Sequence, residues 1–143
     1  VGRAQGAGGS AHKIADPAVN VRGLFLAAHL VSMRCLLPFG MRALSLPALL
    51  RTITPRAGRV TRARAGQALA RSERLARCLG AHDTCLYRAI ARWVALRSAG
   101  LPAEFVMGVR QGDPGAGHAW VEIGGAPVGE DPDPRLVVTF RFA

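Results

Sequence analysis

The 143-residue sequence predicts an α+β fold, in which N-terminal helices are followed by a small antiparallel sheet. Three observations carry that prediction. Up to about residue 98 the apolar side chains recur at helical spacing. Gly100 and Pro102 then stop the last helix, one by offering a left-handed backbone and the other by refusing a helical hydrogen bond. Beyond Pro102 the apolar period falls to two, with turn residues between the runs. Half of the residues are hydrophobic, enough to fill one core.

The elements follow in order. Residues 1–19 are rich in Gly and Ala and read as a flexible tail. Residues 20–59 form an apolar helical region, and residues 60–143 form the core that carries the chemistry. Asn20 is placed to cap a helix over Val21–Leu37, which Pro38 should end. His29 and Arg34 interrupt this apolar run. A membrane span needs ~20 clean apolar residues, so a core or partner-facing helix is expected, and membrane contact of residues 21–50 is left open. Residues 41–51 suit a short second helix before Thr52–Pro55 breaks the pattern. From Val60 to Cys78, Val60, Ala63, Ala70, Leu75 and Cys78 alternate with arginines in a third helix, closed by Gly80. Asp83 or Thr84 caps the next, which runs from Cys85 to about Ser98. Strands are expected over Ala103–Arg110, His118–Ile123, Ala126–Asp131 and Leu136–Phe142, with Gln111–Gly117 as a loop and Gly124-Gly125 as a turn.

Charge is distributed unevenly. Residues 1–78 hold twelve Arg and one Lys against Asp16 and Glu73, a net of +11, whereas residues 79–143 hold six Arg against seven acids, a net of −1. Such asymmetry suits a basic surface for nucleic acid, an anionic membrane or an acidic peptide, or simply a solvated basic face. Nucleic acid is not expected as a partner, because no recognition motif accompanies the charge. The three cysteines, Cys35, Cys78 and Cys85, are too few and too irregular for a disulfide framework, and no Cys-x-x-Cys marks a zinc site. No metal or cofactor is expected. Residues 1–20 lack a compact apolar signal segment, so the expected location is cytoplasmic.

Cys85 stands out because it falls in the first turn of its helix. There the macrodipole and unpaired backbone N–H groups favour thiolate, the nucleophilic form. The Cys85 N–H is also placed to meet a developing oxyanion. His118 opens a strand just after a Gly-rich loop, where an imidazole can serve as the base. Glu130 and Asp131 on the following strand can orient that ring. With a two-residue turn at Gly124-Gly125, counting outward sets His118 opposite Asp131. A bulge would shift the register by one residue, so the acid is Glu130 or Asp131. Cys35 and Cys78 read as packing residues, Trp120 as core, and His82 as a surface-loop histidine.

The segments Thr84-Cys85-Leu86-Tyr87-Arg88-Ala89-Ile90-Ala91, Gly100-Leu101-Pro102-Ala103-Glu104-Phe105-Val106-Met107-Gly108-Val109-Arg110, Gly117-His118-Ala119-Trp120-Val121-Glu122 and Pro127-Val128-Gly129-Glu130 carry a resemblance. Together they are similar to the lasso-peptide leader peptidases, which are transglutaminase-like proteins. The resemblance covers residues 60–140 well, and residues 22–50 match the family's looser helical region. It implies a papain/transglutaminase-like core, with Cys85 as nucleophile and His118 as base. The family's third residue, usually Asp, falls on Glu130, with Asp131 beside it. The implied activity is removal of the leader from a ribosomally made precursor peptide. The implied partners are that leader peptide, a separate leader-recognition protein and an ATP-dependent lasso-peptide cyclase. No recognition module is legible before residue 20, so the recognition protein is expected to be a separate chain. Two other readings are an acyl transferase of transglutaminase type and a non-catalytic basic module for nucleic acid or membrane surfaces.

Overall fold

The computed structural model describes residues 21–56, 58, 60–81 and 84–143. The expected tail, the Asn20 cap and the positions of His82 and Asp83 lie outside the described residues. Four helices come first: α1 (Val21–Ala43), α2 (Leu46–Ile53), α3 (Arg62–Cys78) and α4 (Cys85–Ser98). Four strands follow: β1 (Ala103–Arg110), β2 (Asp113–Ile123), β3 (Ala126–Pro127) and β4 (Leu136–Phe142). They form one antiparallel sheet in the order β3-β2-β1-β4. The α+β layout read from the sequence is the one observed.

Helix α4 is the centre of the molecule. Its Ile90, Trp93 and Val94 are fully buried, and each such side chain contributes about 1.5–3 kcal/mol over an exposed one. The Trp93 indole packs edge-on against Phe142 at 5.6 Å and donates from Nε1 to the Ala103 carbonyl at 3.1 Å. One side chain thus ties the helix to both β1 and β4. Phe105, Ala119 and Val121 present the sheet's inner face to the same core, and Leu30 and Leu50 close it from α1 and α2.

Helix α1 does not stop before Pro38 but runs on to Ala43. Proline removes one intrahelical bond, yet Leu37 and Met41 on either side of it are packed into the core and hold that turn. By length and composition α1 is apolar enough to cross a membrane. Its stripe of Gly23, Ala27, Leu30, Met33 and Leu37 is nevertheless buried within this chain, whereas Leu24, Phe25, Leu36 and Phe39 on the other side are exposed. The second helix starts at Leu46 rather than residue 41, because α1 occupies residues 41–43.

Helix α3 matches its expected span but buries a different face. Ala65, Ala68, Ser72 and Ala76 point inward, whereas Ala63, Ala70, Leu75 and Cys78 are exposed. An alanine-rich helix offers two nearly equal stripes. The one chosen consists only of small side chains, which allow α1 to pack closely across it.

Two strands differ from expectation. β2 begins at Asp113, five residues before His118, because β1 pairs with it as far as Arg110↔Asp113 through an irregularity at Val109/Arg110. β3 ends at Pro127 instead of Asp131. Pro127 has no N–H for the ladder, and Gly129 turns the chain with φ 74°. The turn itself is as counted, with Ile123 facing Ala126, but after a last bond from Val128 N–H to the Val121 carbonyl the chain leaves the sheet. The counted pairing of His118 with Asp131 therefore does not form.

Candidate active site

Cys85 is the first residue of α4. Thr84 caps the helix, its hydroxyl oxygen accepting from the Tyr87 N–H at 3.3 Å. The first intrahelical bond runs from the Arg88 N–H to the Thr84 carbonyl, so neither of these bonds uses the N–H groups of Cys85 and Leu86. The thiol is half-buried. Cys35 and Cys78, expected to be packing residues, are both exposed. Cys35 sits on the side of α1 turned from the core, and Cys78 ends α3 beyond its buried alanine stripe.

His118 lies on β2 opposite Gly108. Its Nε2 is 2.6 Å from Glu130 Oε2. The other carboxylate oxygen faces Arg92 Nη1 at 3.4 Å, and the same guanidinium nitrogen donates to the Val128 carbonyl at 2.9 Å. Of the two acids left open by the sequence, Glu130 therefore meets the imidazole, and Asp131 is exposed. The departing chain explains this. After Gly129 the backbone has left the ladder, so a longer acid reaches back to the ring where a register neighbour would not.

Cys85, His118 and Glu130 line one cavity of about 270 Å³ between α4, α1, α3 and the sheet. With Nε2 engaged by Glu130, Nδ1 is the ring nitrogen left to meet a thiol. No hydrogen bond joins Cys85 to His118 among the described residues. Such contacts are often loose without substrate and tighten in the bound complex. Four arginines also border the cavity: Arg34, Arg77, Arg88 and Arg92.

A sequence model of the Transglutaminase-like superfamily matches residues 27–141, from α1 through β4. The chain belongs to this superfamily. Its fold is therefore of the type that supports cysteine peptidase and acyl-transfer chemistry. Among curated proteins and solved structures, none matches the chain.

In this transglutaminase-like domain a second set of side chains supports the imidazole from its own face of β2. The Trp120 ring stacks on His118 with centroids 5.8 Å apart and planes 14° from parallel. Its indole N–H donates to Glu122 Oε1 at 2.8 Å, and Arg141 on β4 donates to Glu122 Oε2 at 2.6 Å. Glu122 is buried, and with both its oxygens bonded the cost of burying its charge is offset. Gly108 makes room for the indole. A Cβ there would lie 2.7 Å from the Val137 carbonyl and 3.0 Å from the Trp120 ring. The signal for this support was the two-residue spacing of His118, Trp120 and Glu122, which sets all three on one face of a strand. Reading Trp120 only as core missed it. In the loop before β4, Arg135 hydrogen bonds to the Asp133 side chain and holds its carboxyl below the ordinary carboxylate range.

Proposed function

We propose that this chain is a cysteine peptidase that removes the leader from a ribosomally made lasso-peptide precursor, using Cys85, His118 and Glu130. The observation that carries the peptidase reading is the His118–Glu130 pair bordering the same cavity as the thiol at the start of α4. The leader-peptidase specificity rests on the Cys-Leu-Tyr-Arg and His-Ala-Trp-Val-Glu segments and their order.

The chemistry is acyl transfer. The Cys85 thiolate attacks the carbonyl carbon at the leader–core junction, and N–H groups at the helix start receive the oxyanion. The C–N bond breaks as imidazolium at His118 gives its proton to the leaving amine. The leader then remains as a thioester on Cys85. His118 next takes a proton from water, whose hydroxide attacks the thioester. The leader carboxylate departs and the thiol is restored. Glu130 holds the ring so that Nδ1 faces the sulfur and stabilises the imidazolium.

The test is Cys85→Ala, assayed with precursor peptide and a separate leader-recognition protein. Free core peptide should appear with the native chain and be lost with the variant. Undiminished release by Cys85→Ala would sink the assignment. Membership of the Transglutaminase-like superfamily supports a second reading, transfer of the acyl group to an amine. A mass shift for an amine adduct, in place of two cleaved fragments, would favour it.

A further inference from the structure

We infer that Arg92 is a positioning residue: it clamps Glu130 so that a glutamate can hold His118 in the peptidase reaction proposed above. The inference rests on that reading of the site, and it adds a residue that the Cys–His–acid pattern does not contain.

A glutamate has one more rotatable bond than an aspartate, and ordering that bond costs entropy. Left alone, the Glu130 carboxylate would swing between the imidazole and solvent. In the structure both of its oxygens are engaged, Oε2 by His118 Nε2 at 2.6 Å and Oε1 by Arg92 Nη1 at 3.4 Å. Arg92 is itself fixed, because Nη1 also donates to the Val128 carbonyl at 2.9 Å. That carbonyl lies two residues before Glu130. The guanidinium therefore holds both the side chain and the backbone that presents it. Both side chains are less than one-third exposed, at 20% for Arg92 and 29% for Glu130, so the pair is partly shielded from water.

Gly129 completes the clamp. A Cβ at this residue would lie 3.2 Å from the Arg92 guanidinium carbon, and the backbone there has φ 74°. The positive φ calls for glycine at the turn that ends the hairpin, and a Cβ there would press on the arginine that passes over it. Arg92 projects from α4, two turns after Cys85. The helix that carries the nucleophile consequently also holds the acid that orients the base. A single rigid element fixes both ends of the triad.

The test uses the full chain and reads Cys85 directly. Alkylation by iodoacetamide, mapped by mass on each cysteine, follows thiolate reactivity without any peptide substrate. The exposed Cys35 and Cys78 serve as internal controls. Arg92→Met should slow alkylation of Cys85 on the order of tenfold and leave Cys35 and Cys78 unchanged. Gly129→Ala should act in the same direction. In a Glu130→Ala background, Arg92→Met should cause no further loss, because its effect passes through Glu130. A native rate for Arg92→Met, or losses that simply multiply in the double variant, would overturn the inference. Failure of the native chain to cut any precursor would instead count against the peptidase proposal, and the alkylation cycle would still read Arg92.

Discussion

In the proposed triad the acid is the side chain that reaches the imidazole. Asp131 is adjacent in sequence but exposed, whereas Glu130 reaches His118 Nε2 at 2.6 Å. Glu130→Ala should therefore lower kcat/KM on the order of a hundredfold, since an unheld imidazole loses both tautomer and direction. Asp131→Ala should stay within about twofold, as expected for an exposed side chain with no hydrogen bond to the imidazole. Steady-state cleavage of a precursor peptide by the two variants measures this directly. Equal losses would mean that the two acids exchange places when substrate binds. Sequence alone left this choice open for a physical reason. Counting along a hairpin is valid only while the ladder continues, and Pro127 and Gly129 end it within four residues of the turn. Arg92 was invisible for a related reason: its partners lie 36 and 38 residues away in sequence, beyond any periodic pattern.

Helix α4 was legible because both ends carry chemical signals. Thr84 caps its start and Gly100, at φ 77°, follows its end. Helix α3 gave its span but not its face, since alanines on either side of it differ little in the energy gained by burial. The α4 cap also has a consequence for the thiol. Cys85 occupies the first turn, the part of a helix most prone to fray, and Thr84 Oγ1 is the side-chain group that holds that turn. Thr84→Ala should cost about 1 kcal/mol of stability. It should also lower kcat/KM severalfold, because Cys85, the proposed nucleophile, loses its fixed position. Thr84→Ser keeps the oxygen and should behave like the native chain. Urea denaturation together with precursor cleavage separates the outcomes. A fall in stability with unchanged kcat/KM would show that Cys85 does not depend on the cap.

For the molecule as a whole, the uneven charge seen in the sequence becomes a spatial one. Arg71, Arg74 and Arg77 stand exposed on α3, and Arg77 also borders the cavity that holds Cys85. The sheet side of the site instead presents Glu130, Asp131 and Asp133. Such a field would draw an acidic substrate or partner toward the helical side before contact, an effect on encounter rather than on the chemical step. Exchanging Arg71, Arg74 and Arg77 for glutamate should therefore lower kcat/KM for an acidic leader on the order of tenfold at low salt and leave kcat nearly unchanged. Near 1 M salt the screening length shrinks to about 3 Å, and the variant and native chains should converge. Cleavage measured across a salt series distinguishes this from damage to the fold, which would persist at every ionic strength. Leader processing that is unchanged at low salt would assign the basic face of α3 to solubility alone.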